Sequence, residues 1–262
     1  MEIKGKDSSA HTTLLKANQD HFDEQSTKWD DEPEYVKVSR TSYATIMHHL
    51  GRFLSSRDDD HPTSILNFGC GTGLLEAQLR YNVTSITGID ISHGMILRMN
   101  TKIQAESWTN VTALQMDILD EAQPSLLPIQ GFDMVISCYT FHHLQDVTAV
   151  GGALLKYLKP GGYLCIIDFA AASTENNHIH YHHTQHHDHQ QEQDEQQQPL
   201  EMKLSEAAKA SIGSHDGFSK RFLIDYYQSV LDLQNVTVED ATPLNCDGIE
   251  YPTVIAYGQK KK

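Results

Sequence analysis

Residues 64–75 read Ser-Ile-Leu-Asn-Phe-Gly-Cys-Gly-Thr-Gly-Leu-Leu, an apolar run that breaks into glycines at alternate positions and resumes as an apolar helical pattern. A strand, a glycine loop and a helix in that order turn backbone N–H groups toward a ligand. Gly69, Gly71 and Gly73 tolerate positive φ and lack the Cβ that would block a close approach. A tight strand-to-helix turn alone would also use glycine, so the surroundings decide. "SITGID" (85–90) reads as a second strand ending in Asp90, 17 residues after Gly73. In a parallel sheet that carboxylate lies beside the loop, placed for ribose hydroxyls. "VTALQMD" (111–117) reads as a third strand ending in Asp117, on the same carboxyl edge. Acids at two consecutive strand ends suggest an adenosine laid across the sheet.

The dinucleotide spacing G-x-G-x-x-G fails here, because its last position falls on Leu74 counted from Gly69 and on Glu76 counted from Gly71. No Lys-Ser/Thr pair follows to serve a nucleoside triphosphate. A pyrophosphate is therefore not the expected guest. An NAD(P)-dependent oxidoreductase, which would also want a Tyr-x-x-x-Lys pair, ranks below other readings.

Outward from the loop, apolar runs alternate with helical patterns, the signature of βαβ units. The expected elements are strands at 63–68, 85–90, 111–117, 132–139 and 163–169, with helices at 74–81, 92–105 and 146–159. Pro160-Gly161-Gly162 is expected to stop the last of these helices. A helix over 220–231 precedes two strands, 235–244 and 251–259, whose short connection suits an antiparallel pair. Residues 1–20 read as a flexible polar tail and 21–60 as a helical cap, amphipathic over 35–54. The main domain is expected over 61–172 and 205–260. Between its parts, residues 173–204 are dominated by His and Gln and read as a disordered insertion. Seven histidines there, His178, His180, His182, His183, His186, His187 and His189, imply adventitious divalent-metal affinity rather than a metal-dependent reaction.

The formal charge of −15 repels phosphate backbones and argues against a nucleic-acid partner. No apolar run approaches the roughly 18 residues of a membrane span. The polar N-terminus lacks a signal-peptide core, and an intracellular, cytoplasmic protein is expected. Cys70, Cys138, Cys165 and Cys246 contain no CxxC pair, which excludes a disulfide framework or structural zinc site as a first reading.

Taken together these stretches resemble a class I S-adenosylmethionine-dependent methyltransferase of the small-molecule type, similar to the branch of the quinone-biosynthesis methyltransferases. The resemblance rests on "FDEQSTKWDDEPEYV", "LNFGCGTGLL", "ITGIDISHGMIL", "ALQMDIL", "FDMVISCYTFHHLQD", "LLKYLKPGGYLCIIDF" and "HDGFSKRFLIDYY", in that order over residues 21–258. It implies a Rossmann-like α/β fold: a seven-stranded, mostly parallel sheet with helices on both faces and an antiparallel last strand. It implies S-adenosyl-L-methionine as cofactor, with Gly69, Cys70, Gly71 and Gly73 around the methionine and ribose part and Asp90 on the ribose hydroxyls. Ile91 and Met95 would border that site. Asp117 and the Ile118 backbone would meet the adenine amine, and Cys138 and Tyr139 would line the methyl-transfer face. The family usually carries an acid where this chain has Asn67. An amide accepts a hydrogen bond but brings no charge to pair with an ammonium, so a weaker hold on the cofactor is expected.

The expected activity is methyl transfer to a small-molecule acceptor through an O, N or C nucleophile. Alignment is the main task, and O and N acceptors also need a base. His142 and His143, just after the fourth strand, are the candidates, against the alternative that they only brace the loop. His215 and the aromatics Trp29 and Tyr35 read first as turn and packing residues. A competing class is a non-catalytic cofactor- or metal-binding module on the same fold.

Overall fold

A computed structural model describes residues 8–54, 63–120, 126–171, 217–246 and 249–262. The whole of the His/Gln-rich insertion expected over 173–204, and His215, lie outside these described residues.

The chain begins with helices α1 (Ser8–Gln25) and α2 (Pro33–Leu54). There follow β1 (Ser64–Phe68), α3 (Glu76–Leu79), β2 (Ser85–Asp90), α4 (His93–Ala105) and β3 (Val111–Gln115). Next come β4 (Phe132–Cys138), a single 3₁₀ turn (Phe141–His143), α5 (Val147–Tyr157) and β5 (Leu158–Phe169). The last elements are α6 (Lys220–Asp225) with a π-helical extension (Tyr226–Val230), β6 (Gln234–Cys246) and β7 (Ile249–Gln259).

The strands form one sheet in the order β3-β2-β1-β4-β5-β7-β6. The first five are parallel to one another. β7 runs antiparallel to β6, as the short connection between them predicts, and antiparallel to β5 as well. β1 and β4 are buried on both faces along most of their length, which is why β4 reads as a nearly continuous apolar run. Alternate residues go to opposite sides. Leu66, Val135, Leu164 and Ile166 pack with α5, α6 and the π turn. Ile65, Ile86, Met134, Ile136 and Ile167 pack with α2, α3 and α4. Strand order reverses between β1 and β4, so their following loops diverge and leave a crevice at the carboxyl edge.

Several elements depart from the sequence expectation. The expected tail–cap boundary at residue 20 falls inside α1, a continuous helix from Ser8 to Gln25. Pro160-Gly161-Gly162 follows the end of α5, but the helix stops two residues earlier than expected and these three residues lie inside β5, where pairing with β4 jumps from Phe132↔Leu158 to Met134↔Tyr163. Pro160 forces the residue before it out of helical geometry, and the helix has already given way at Leu158 (φ −78°, ψ 130°). Gly161 takes φ +80°, and a Cβ on Gly162 would lie 2.7 Å from the Asp133 carbonyl. Glycine therefore makes this bulge possible. β3 stops at Gln115, so Asp117 stands in the loop beyond it. The helix expected over 74–81 shrinks to one turn because the glycine loop uses the preceding residues in tight turns, Gly73 N–H donating to the Cys70 carbonyl (3.1 Å). The helix expected over 220–231 opens to π geometry at Tyr226, where Leu231 N–H reaches back to the Tyr226 carbonyl (2.9 Å). The wider turn accompanies buried Tyr227, whose hydroxyl donates to the Ala256 carbonyl (3.0 Å). Among the described residues no helix is long and apolar enough to cross a membrane.

Candidate active site

The loop after β1 remains fastened to β2. Gly69 and Cys70 N–H groups both donate to the Ile89 carbonyl (2.8 and 3.1 Å). All three loop glycines take positive φ, from +55° to +83°, but they do different things. A Cβ on Gly69 would lie 2.1 Å from Thr140 Oγ1, and one on Gly73 would lie 2.8 Å from Met99 Cγ. These two let β4's loop and α4 close against the turn. Only at Gly71 is the space open, the nearest heavy atom being Trp29 Nε1 at 3.9 Å. Gly71 is thus the glycine whose missing side chain leaves room for a guest.

Asp90 sits at the end of β2, as expected. Its Oδ2 accepts from Gly71 N–H (2.9 Å) and its Oδ1 from Ser92 N–H (2.9 Å). Burial pushes its carboxyl upward in pKa, and the N–H groups of Ser92 and Gly71 oppose that. An ionised carboxylate has about four acceptor sites, so each oxygen keeps capacity for a sugar hydroxyl. Ser92 caps α4 by accepting from Met95 N–H (3.1 Å). Ile91 is half-buried in the joint between β2 and α4 and Met95 is buried. Asp117 lies beyond β3, accepting from Leu119 N–H (2.9 Å) through Oδ1, and Ile118 is buried beside it.

The side chain of Cys70 turns away into the core, its Cβ region packed over Gly88. Burial pushes its thiol well up, with Glu76 and Asp90 adding to the effect. The residue therefore offers a ligand its backbone rather than its sulfur. Cys138 is likewise pushed well up by burial. Tyr139 turns the chain at the end of β4 in the left-handed region (φ 53°), holding Ile167's carbonyl through its N–H (2.8 Å). Cys70, Cys138 and Cys165 are free thiols, and among the described residues no cluster of His, Cys, Asp or Glu is placed to hold a metal ion.

The N-terminal helices roof the site. Trp29 and Tyr35 stack face to face (3.8 Å between centroids, 10° between planes) beside Gly71. Asp23 accepts from Ser92 Oγ (2.6 Å) and from Gly94 N–H (2.8 Å). Asp30 accepts from Thr72 Oγ1 (2.5 Å) and from Lys102 Nζ (3.0 Å). Two acidic pins thus hold the cap to the glycine loop and to α4.

At the neighbouring strand ends, the two histidines after β4 take separate roles. His142 is 5% exposed, and its Nδ1 lies 2.7 Å from Asp168 Oδ1 at the end of β5. The same buried carboxylate accepts from the backbone N–H groups of His142 (3.2 Å) and Phe169 (2.8 Å). Facing a carboxylate, Nδ1 carries the proton and Nε2 is left as the acceptor. His143 packs edge-on against Phe22 of α1 (5.0 Å), and its carbonyl accepts from Asn18 Nδ2 (3.2 Å). Ser219 caps α6 by accepting from Phe222 N–H (3.1 Å), and Gly217 at φ +70° packs on the Phe169 carbonyl, which gives the turn before α6 a structural reason.

Two residues were not singled out by the sequence. Asp168 could have been found by the rule that found Asp90, an acid at the carboxyl end of a strand. Glu76 gave no such signal, since it falls within an apolar helical pattern where an acid would normally face water.

A family model described as a methyltransferase domain matches residues 59–209. An uncharacterized methyltransferase of Schizosaccharomyces pombe is 25% identical over 256 residues, covering 86% of this chain and 81% of its own. A malonyl-[acyl-carrier protein] O-methyltransferase of Acetivibrio thermocellus is 32% identical over 168 residues, covering 63% of this chain and 54% of its own. The chain spans about half the length of several bacterial relatives it matches. Among solved structures, a 1,6-didemethyltoxoflavin-N1-methyltransferase of Burkholderia thailandensis superposes with a TM-score of 0.62 at 14% identity, over 99% of this chain and 94% of that one.

Proposed function

We propose, from the premise that this chain belongs to the methyltransferase-domain family, that it transfers the methyl group of S-adenosyl-L-methionine to a small-molecule acceptor. The observation that carries this is the pairing of Gly71 with Asp90. One leaves open space beside an aromatic stack, and the other is a fixed carboxylate with acceptor capacity to spare.

The residues present fit the cofactor. Asp90 would take the ribose hydroxyls, with Gly69, Gly71 and Gly73 setting the loop's shape. Ile91 and Met95 would border it, and Asp117 with Ile118 would flank the base. Cys138 and Tyr139, at the end of β4, would line the face toward the acceptor. Bound there, the cofactor supplies a methyl group already activated on a sulfonium sulfur. The protein's own work is to align, to exclude water and to move one proton. The cap pins Asp23 and Asp30 hold α1 and the following turn over the loop. An O or N acceptor releases a proton as it is methylated, and His142 Nε2 takes it while Asp168 stabilises the resulting imidazolium. His143 braces the 3₁₀ turn against α1 and borders the acceptor side. General-base assistance of this kind contributes roughly 10²–10⁴-fold.

The names of the relatives guide the choice of acceptors. One is an O-methyltransferase of a malonyl carrier and one methylates a ring nitrogen, so carboxylic acids and nitrogen heterocycles head the panel. The test follows tritium-labelled methyl from the cofactor onto a panel of carboxylic acids, phenols, amines and heterocycles. Transfer to at least one class is expected, with His142→Ala losing kcat and little KM. A wild-type protein that binds the cofactor but labels no class would favour the non-catalytic binding module instead.

A further inference from the structure

Beneath the glycine loop lies a polar pair that the roles assigned so far leave unused. Asn67, the fourth residue of β1, is 3% exposed, and Glu76, the first of α3, is fully buried. Asn67 Nδ2 donates to Glu76 Oε1 at 2.6 Å. That bond uses one acceptor and leaves two others, Asn67 Oδ1 and Glu76 Oε2, buried with no hydrogen-bond partner. A buried acceptor without a donor costs on the order of 1–3 kcal/mol, so two on one pair call for a donor from elsewhere. The pair sits on the α2–α3–α4 side of the sheet, against the glycine loop. The ionisable groups acting on Glu76 are Lys102 from α4 and Asp90 from β2. The thiols of Cys70 in the loop and Cys138 at the end of β4 feel it in turn. From α2, Ser42 faces Cys138 and Ser39 accepts from Gln78 just beyond. Lys102 is drawn away by Asp30, 3.0 Å from its Nζ. Among the described residues no cation closes on the pair, and a carboxylate with open acceptors beside it suits a cationic donor.

We propose that the Asn67–Glu76 pair receives the α-ammonium group of the cofactor, Glu76 supplying the negative charge and Asn67 the neutral acceptor oxygen. This rests on the function proposed above and deepens it. The amide at residue 67 is then half of a two-residue anion whose charge is carried by the helix. Without a ligand, burial raises the Glu76 carboxyl to about 7, Asn67's hydrogen bond and Lys102 opposing the rise. A proton therefore occupies Glu76 at lower pH, and binding an ammonium releases it to solvent.

Cofactor affinity falls as pH drops below about 7, by up to about tenfold per unit. The empty fold behaves oppositely. A carboxyl whose folded pKa is raised stabilises the fold below its unfolded value of 4.5 and loses that contribution as pH rises through about 7. Glu76→Gln, which cannot ionise, should raise the melting temperature of the empty protein at pH 8 while weakening the cofactor.

The experiment titrates the full chain calorimetrically with S-adenosylhomocysteine and with methylthioadenosine, which lacks the amino-acid moiety, at pH 6 to 8.5 in buffers of different ionisation enthalpy. The expected result has three parts: a proton released with S-adenosylhomocysteine near pH 7, none with methylthioadenosine, and at least a tenfold loss in Glu76→Gln for the former only. The charge-moving double variant Asn67→Asp/Glu76→Gln should recover affinity and shift the pH dependence to lower values. A flat pH profile without proton release in the wild type overturns the inference even if the variants fail to fold. Wild-type protein that binds neither ligand at any pH contradicts the function proposed above instead.

Discussion

Replacing Gly69 and Gly71 by alanine, one at a time, separates a glycine kept for packing from one kept for a ligand. Both sit at positive φ, +75° and +55°, where an L side chain costs roughly 1–2 kcal/mol. Both gain about 0.4–1 kcal/mol from a stiffer unfolded chain, so backbone effects alone leave either variant only slightly destabilised. The surroundings differ. The Gly69 Cβ would press on Thr140 at Oγ1 (2.1 Å), Cγ2 (2.5 Å) and Cβ (2.8 Å). Thr140 is tied to the Cys138 carbonyl (3.2 Å), and displacing it adds about 1–3 kcal/mol. Gly69→Ala should therefore lose about 3 kcal/mol in all. With a slope of about 3 kcal/mol/M, that moves the urea midpoint down by about 1 M. Adding Thr140→Ala removes the two nearest clashes and should restore about half. Gly71→Ala meets nothing closer than Trp29 Nε1 at 3.9 Å. It should shift the midpoint by less than about 0.5 M, yet bind cofactor at least about tenfold more weakly because its methyl occupies the open space. Urea unfolding followed by tryptophan fluorescence reads the first quantity and calorimetry the second. A Gly71→Ala protein with normal affinity would refute the division of labour, as would a Gly69→Ala protein of normal stability.

With a reactive acceptor in hand, Asp168→Asn keeps the shape of the His142 pair but removes the carboxylate that holds the Nδ1 proton; kcat should drop about 10²-fold or more with KM little changed, read from steady-state kinetics across pH. Asp30→Ala frees Thr72 and Lys102 together, and should speed hydrogen exchange in α2 and weaken cofactor binding while leaving β4–β5 protection unchanged. Tyr227→Phe removes the buried hydroxyl that donates to Ala256, and a loss of about 1 kcal/mol is expected in denaturant unfolding. Asp133 has burial working to raise its pKa, but the N–H and hydroxyl of Ser64 and the ammonium of Lys159 together hold it below 3.8. Its contribution is present above pH 4 and is lost as pH falls through its depressed folded value. Acid unfolding of Asp133→Asn should therefore be less steep below pH 4 than that of the wild type.

The parallel strands were legible because a sheet buried on both faces leaves nearly continuous apolar runs, as over Met134–Ile136 of β4. Asp90 was legible because strand period and glycine spacing place it without reference to any distant residue. What escaped the sequence depends on distant partners. His142 stood out, but the carboxylate that orients it lies 26 residues on, across β4 and β5. Glu76 carried no mark of burial, because its surroundings come from β1, β2 and α4 together. The bulge at Pro160–Gly162 escaped for another reason: proline and glycine punctuate chains alike in turns and in bulged strands, and only pairing with β4 decides between them. The first part of α1, up to residue 20, looked like a tail since it is polar on most sides; the helix is placed by Asp23 reaching Ser92 and Gly94, and by Asn18 and Phe22 meeting His143.

The most direct test of the account is equilibrium binding of S-adenosyl-L-methionine to the wild-type chain and to Asp90→Ala, measured by calorimetry with NADH as a control ligand and near-ultraviolet circular dichroism to confirm that the variant is folded. Saturable one-to-one binding by the wild type is expected, none for NADH, and at least a tenfold loss in Asp90→Ala. A folded Asp90→Ala that binds as tightly as the wild type would contradict it, as would a wild type that binds NADH in preference to the methyl donor.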